Sequence, residues 1–542
     1  MTVALNGSDN LKESIPTNAS PRHVATMEEV VEQSLKVANE AFEDPHVFSR
    51  PIRRAAVVGA GPAGLATAKK LRDRGIEVRV FETQAEVGGV WFYNKTPSVK
   101  PSVPSDKLAP IEALPDVPDN EVVEEEVVLA PETERWFAQE HPGSGCYEDL
   151  HCNTATPILQ LEDFPWPEGT PLFVPHTGVC NYFKSFAEHF GLYPFIELNT
   201  AVKQISKKSD GSWSVMVAKS EKVGDKIRIK RWRETFDAVA VAAGSFQDPF
   251  IPDVKGLKEY DTLWPERVSH SKQFRHPRDF KGKNVLVVGG HVSAVDIVRH
   301  LQGVAENVYL SFRGPFELES EILNAFRSAI PKDIVLKPAI QGFVNQDGKV
   351  DGTVTFEDGT TLDVDRVIYC TGYMANLPFL GNLRVHMDER DQAKDGVVVD
   401  GKRPIETYHE IFHIDDPTLA FLGFPSHVTL VRFFSYQANA VARVWEGTAR
   451  LPSQSKMRNL MENSKPSCPI DDLTVHFESL RAQAFITWLN RHAELCNVSG
   501  LKELTNYYGP ELAERWVPMF EEWIKFSEAT IAKTREKELR YA

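Results

Sequence analysis

Two stretches of the chain share a rhythm of apolar and polar positions. "RAAVVGAG" runs into "PAGLATAKKLRDRG", and "KNVLVVGG" runs into "HVSAVDIVRHL". A short continuous apolar run closed by glycine predicts a strand buried on both faces, and the spaced apolar positions that follow predict a helix packed back on it. Strands and helices alternate in this way from about residue 54 to 265, and a second unit of the same kind opens near 284. The pattern predicts an α/β fold of two nested dinucleotide-binding, Rossmann-like domains. A fainter echo supports the nesting. "FDAVAVAAGSFQDPFIP" and "VDRVIYCTGYMANLPFL" each set an Asp before a short apolar run, then a glycine (Gly244, Gly372) and a proline, the layout expected of strands that carry the chain between domains.

The expected organisation is a polar leader at 1–50, mobile or loosely docked around one short helical patch, and a first domain at 51–260. That domain carries an insertion rich in proline and acid at 98–145. The second dinucleotide-binding domain spans 261–360, a return to the first spans 361–465, and a helical extension occupies 466–542. Within the insertion, residues 112–126 hold seven acidic side chains and no basic one, which predicts a solvated loop. In the extension, Phe477, Leu480, Ala484 and Trp488 recur at three and four residues and form an apolar stripe suited to core packing. The extension either covers the site or builds a homo-oligomer interface.

Composition narrows the class. A net charge of −15 argues against nucleic acid as partner, because phosphate recognition needs clustered Lys and Arg. No apolar run approaches the ~20 residues that span a bilayer, so the expectation is a soluble, cytosolic protein with a small-molecule substrate. The six cysteines show neither a C-x-x-C pair nor zinc-type spacing. That predicts reduced thiols, no metal site, and no flavin disulfide reductase chemistry.

The first turn has every part of a dinucleotide site. Gly59 permits the tight bend, Gly61 lets backbone approach a pyrophosphate, and Gly64 allows the helix to lie close on the strand. Glu82 lies 18 residues past Gly64, at the end of the next strand, where a carboxylate accepts hydrogen bonds from ribose hydroxyls.

Just beyond, "VGGVW" places Gly88, Gly89 and Trp91 after that acid, and "YEDLHCNTATPILQLEDFPWPEGTPLFVPHTGVCNYFKSFAEHFGL" follows. With these residues the chain resembles the flavin-containing monooxygenase family, from about residue 54 to 453. The resemblance implies FAD on the first turn, with Gly89 and Trp91 against it, and NADPH on the second. It further implies that Asn153 in "LHCNTATP" is the active-site asparagine and that Thr371 and Gly372 in "IYCTGY" lie beside FAD. The family's motif F-x-G-x-x-x-H-x-x-x-[Y/F] is partly kept in "WPERVSHSKQF": His270 and Phe274 match, while Trp264 and Glu266 depart. His270 then helps to position NADP, and the lost glycine puts the turn geometry in question.

The second turn breaks the fingerprint. From Gly289 the run reads Gly, Gly, His, Val, Ser, Ala, so His291 stands where the middle glycine belongs, and Ala294 fills the last position as an accepted substitute. Either Gly290 supplies the close approach, with His291 turned outward or touching phosphate, or the site is weakened. Arg313 lies 19 residues past Ala294, where the first unit has Glu82. A cation there suits a 2′-phosphate, which needs charged donors where a free ribose hydroxyl needs an acceptor. Ser311 adds a donor, and Gly289, Gly290 and Ser293 complete the expected NADPH contacts.

Two dinucleotides predict an electron relay from NADPH to FAD and then to an acceptor. With no redox cysteine pair, metal cluster or Ser-His-Asp set in view, oxygen remains. The resemblance implies that reduced flavin and O₂ form a C4a-hydroperoxide attacked by a nitrogen or sulfur nucleophile of a small substrate. A Baeyer–Villiger oxygenase of ketones is the alternative, against which Phe274 stands in place of Trp. A flavin-binding protein without turnover is the other.

Overall fold

A computed structural model describes residues 25–541 apart from 109–110, 112–113, 116, 319–320, 387–395, 400, 402–406, 425–430, 464–474, 500–502 and 506–509. Two mainly parallel sheets form its frame. In the first, Leu419–Phe421, Ala238–Val241, Arg54–Val58, Glu77–Phe81 and Ile196–Glu197 lie side by side and parallel, with Phe412–His413 and Thr407–Tyr408 added antiparallel at one edge. The second holds Val268–His270, Arg366–Tyr369, Asn284–Val288, Asn307–Ser311 and Val335–Lys337, all parallel. Every strand of the second comes from between Val241 and Thr407, so the second domain is inserted in the first. The two apolar runs at the glycine turns are fully buried central strands: Ala55, Ala56 and Val57, and Val285, Leu286 and Val287, have no exposed surface.

The echoing segments hold matching places. Ala238–Val241 flanks the first turn's strand and Arg366–Tyr369 the second's, and just beyond them Asp248–Pro249 pairs antiparallel with Tyr373–Met374. The outgoing and returning chains thus cross as a two-stranded ribbon. Because Arg366–Tyr369 belongs to the second sheet, the return falls after residue 369, later than the expected 361. Leu257 and Tyr260 pack in one cluster with Val268, Leu286 and Phe343, so the second domain also begins earlier than 261.

Within the acidic run, residues 122–126 differ from the expected loop. Val122–Val128 is an edge strand of a four-stranded antiparallel sheet, paired along its whole length with Lys226–Phe236. Glu124 bonds Lys230, Glu125 bonds Arg231, and Glu126 bonds Lys226 and Arg228. The acid run reads as loop only until its basic partner strand, about a hundred residues away, is placed beside it.

The leader's helical patch is the helix Met27–Glu43, started by a Thr26–Glu29 capping box. It is docked rather than loose: Val37, Ala38 and Ala41 are buried, Phe42 meets His492, and Arg491 donates to Asn39. Its partner is the extension helix Val475–Cys496, which buries Leu480, Ala482, Phe485, Ile486, Trp488 and Leu489, a face broader than the expected stripe. Ala484 is only half-buried, and the side chain of Phe477 lies outside the described residues. The last helix, Pro510–Tyr541, lies across both domains. Trp523 and Phe520 pack on Phe326 of the second domain, and Phe526 packs on His151 and Phe173 of the first. No helix among the described residues is long and apolar enough to cross a membrane.

Candidate cofactor and active site

At the first turn steric necessity explains Gly59 and Gly64. Gly59 has φ +98°, and a Cβ there would stand 2.6 Å from the Ala242 carbonyl oxygen. A Cβ on Gly64 would lie 1.9 Å from the Gly59 carbonyl oxygen, so the helix Pro62–Asp73 reaches the turn only because that carbon is missing. Gly61 is the N-cap and supplies no side chain to cap the helix, leaving first-turn N–H groups open for an anion. Gly89 presses on this turn from the other side: its φ is +58°, and a Cβ would come 2.9 Å from the Gly61 Cα. Trp91 packs half-buried on the first domain's core beside it.

Glu82 is buried at the end of its strand. It accepts from the Ala60 N–H at 2.7 Å, the Gln84 N–H at 2.8 Å and the Thr83 hydroxyl at 3.2 Å. Burial raises its pKa, and these donors work against the rise. The carboxylate therefore ties the turn to the strand end.

The second turn begins in the same way. Gly289 has φ +136°, its N–H donates to the Ser311 carbonyl at 2.8 Å as Gly59 does to Phe81, and a Cβ would meet the Cys370 carbonyl oxygen at 2.4 Å. It then diverges. Ala294 carries a fully buried Cβ on the helix Val292–Leu301 where Gly64 could carry none. His291 is the exposed N-cap residue in extended conformation and makes no side-chain cap. Gly290 does make a close approach, but to protein: a Cβ would lie 2.6 Å from Arg327 Nη2 and 3.1 Å from Phe312 Cβ. Ser293 and Arg313 are exposed near the turn. Ser311 is not available as the extra donor, because its buried hydroxyl already donates to the Pro338 carbonyl at 2.7 Å.

His270 serves the crossing. It has no exposed surface, its Nδ1 accepts from the Lys272 N–H at 3.1 Å, and its Nε2 donates to the Gly372 carbonyl at 2.9 Å. Burial pulls its pKa down to about 4, so the ring is neutral and its tautomer is set by these bonds. Thr371 donates from its hydroxyl to the Phe250 carbonyl at 2.5 Å, and Gly372 is exposed at φ +84° with nothing near its missing side chain. Glu266 has no left-handed φ, so the glycine lost from the motif leaves no strain. Phe274 is buried between Tyr147 and Phe280.

Two buried cations at this junction escaped the sequence reading. Arg275 donates to the carbonyls of Asn94, Ser144, Lys272 and Phe274, clamping the loop after Trp91 to the crossing. Lys272 donates to the Gln247 carbonyl at 2.6 Å, and burial lowers its pKa to about 8. Their only signal was position next to the matched motif. Asn153 is half-buried on a segment fixed by the Cys152 N–H bond to the Val174 carbonyl; its one side-chain hydrogen bond among the described residues is a long 3.4 Å bond from the Thr154 hydroxyl. The described cysteines are all free thiols, and burial raises Cys146 to about 12 and Cys152 to about 11.

Two glycine turns on two nested parallel sheets define a flavoprotein oxidoreductase architecture. The model of the flavin-binding monooxygenase-like family matches residues 135–349 and 342–513, and that of the NAD(P)-binding Rossmann-like domain matches 57–116. The chain belongs to the flavin-containing monooxygenase family and is a flavin monooxygenase. It is 31% identical to the flavin-containing monooxygenase ustF2 of Aspergillus flavus, over 75% of this chain and 85% of that protein. It is 28% identical to senecionine N-oxygenase of Tyria jacobaeae, over 74% of each. Among solved structures, S-allyl-L-cysteine S-oxygenase from Allium sativum has a similar fold, with a TM-score of 0.61 and 24% identity, covering 90% of this chain and 99% of that one.

Proposed function

We propose that this enzyme holds FAD on the turn Gly59–Gly64 and NADPH on the turn at Gly289, and transfers one atom of O₂ to a nitrogen or sulfur of a small molecule in the cytosol. The observation that carries the reading is the opposed chemistry of the two strand ends: a buried, hydrogen-bonded carboxylate at Glu82 and an exposed cation at Arg313. The first suits ribose hydroxyls and the second a 2′-phosphate. The glycine turn fits a dinucleotide, because Gly59 and Gly64 allow the tight bend and the close helix, and the helix N-terminus behind Gly61 has no side-chain cap.

Bound flavin supplies hydride acceptance and oxygen activation; the protein supplies orientation and exclusion of water. Gly61 and the helix N-terminus hold pyrophosphate, Gly64 lets that helix lie close on the turn, Glu82 holds ribose, and Gly89 and Trp91 close the same side. Gly289, Gly290, Ser293 and Arg313 receive the nicotinamide dinucleotide. His270 fixes the crossing through Gly372, with Thr371 beside it. Asn153 points an amide with little protein commitment, and we assign it donation toward the reacting region without adding charge. N- and S-oxygenation are favoured because relatives named for each share the fold or the family.

Turnover with NADPH and O₂ in the presence of a tertiary amine, a thioether or a cyclic ketone tests this. An N-oxide or S-oxide formed in step with NADPH consumption is expected. A lactone as the main product would replace the reading by the Baeyer–Villiger one, and NADPH oxidation with no oxygenated product from any of the three would overturn it.

A further inference from the structure

We infer that Arg327, on the helix Glu321–Ser328, is the positioning residue that gives the second turn its preference for a 2′-phosphate, by holding the loop that bears Arg313 against Gly290. The inference rests on the reading of that turn as the NADPH site.

Arg327 is 4% exposed, yet no carboxylate pairs with it among the described residues. Its guanidinium is spent on backbone. Nε donates to the Gly290 carbonyl at 3.0 Å, and Nη1 donates to the carbonyls of Pro315 at 2.9 Å and Phe316 at 2.5 Å. The group lies over the Phe312 ring at 5.0 Å. One planar fork therefore bridges the glycine turn and both flanks of Arg313, which itself is exposed. A buried cation is costly unless its donors are satisfied, and three carbonyl acceptors from two segments meet that need only while the segments stay together.

The geometry also explains the glycine that the turn kept. Gly290 has an ordinary φ, so its backbone does not demand glycine, but a Cβ would stand 2.6 Å from Arg327 Nη2. The missing side chain makes room for the guanidinium. In this chain the close approach expected of the turn's second glycine is thus made by an arginine, and the loop it fixes is the one that ends the strand Asn307–Ser311. Lysine at 327 would keep the charge and lose the fork, since a single ammonium cannot reach both sides in one plane.

The test is binding of 2′,5′-ADP and of 5′-ADP to the purified flavin-loaded protein, followed by calorimetry, for wild type, Arg327→Lys, Arg327→Gln and Gly290→Ala. Flavin content and melting temperature report folding. Wild type is expected to prefer 2′,5′-ADP by about tenfold or more, the scale of a charge-assisted contact. All three variants are expected to lose most of that preference while 5′-ADP binding changes less. Gly290→Ala displaces the guanidinium without deleting it, so it decides the matter should the Arg327 variants fold poorly. Retention of the preference in Arg327→Lys, or in Gly290→Ala when the Arg327 variants do not fold, overturns the positioning role and leaves the NADPH reading intact. No preference in wild type overturns the NADPH reading itself.

Discussion

At Glu82 the sequence reading was right about placement and incomplete about work. Spacing set an acid at the strand end, but its bonds to the N–H groups of Ala60 and Gln84 required the two segments to be seen in contact. Those bonds predict the outcome of Glu82→Gln. The amide offers an N–H₂ where an N–H already points, leaving a buried donor unsatisfied at a cost of about 1–3 kcal/mol. Urea denaturation should show that loss and the purified variant should carry less flavin; unchanged stability would mean that the turn does not depend on the carboxylate. Asn153 is the opposite case: its match to a family motif picked it out, while its packing says only that its amide is uncommitted. His291 drew attention as an anomaly, yet the structural answer to it, Arg327, sits 36 residues farther on with no local pattern to mark it.

Elements built from local runs were legible, and elements that need a distant partner were not. The strand, glycine turn and helix of each dinucleotide unit follow from apolar periodicity and three-residue rules, and so do the crossing strands with their Asp, glycine and proline. The edge strand Val122–Val128 was missed because its stability lies across the ladder: Glu124 faces Lys230 and Glu126 faces Arg228 in register. Such exposed pairs are individually weak. Glu125→Ala, which breaks the bond to Arg231, should cost under about 1 kcal/mol in thermal or urea unfolding. The difference should vanish in concentrated salt; a loss that persists there would point to packing rather than charge.

Across the whole molecule, burial of neutral histidines ties stability to pH. His270, His300 and His492 lie in the crossing, the second domain and the extension, and burial lowers each to about 4. The unfolded chain binds more protons than the native one from about pH 6.5 down to 4, so this contribution is full above that window and is lost as pH falls through it. Asp296, raised to about 6 by burial, and Glu82, also raised, act in the opposite sense. The three histidines, together with His409, which burial lowers to about 3, outweigh them, and stability should drop by at least about 2 kcal/mol between pH 7 and about pH 5.5. Equal denaturation midpoints at the two pH values would refute it. The last helix adds a constraint between domains, since Arg535 donates to the Arg299 carbonyl while Phe526 rests on His151. The proposed function rests on reduction of a bound flavin by NADPH. Anaerobic titration of the purified, FAD-reconstituted protein tests that most directly. One equivalent of NADPH should bleach the visible flavin band, with NADH far slower, whereas a protein that stays colourless after reconstitution, or a flavin that stays oxidised under NADPH, would contradict the account.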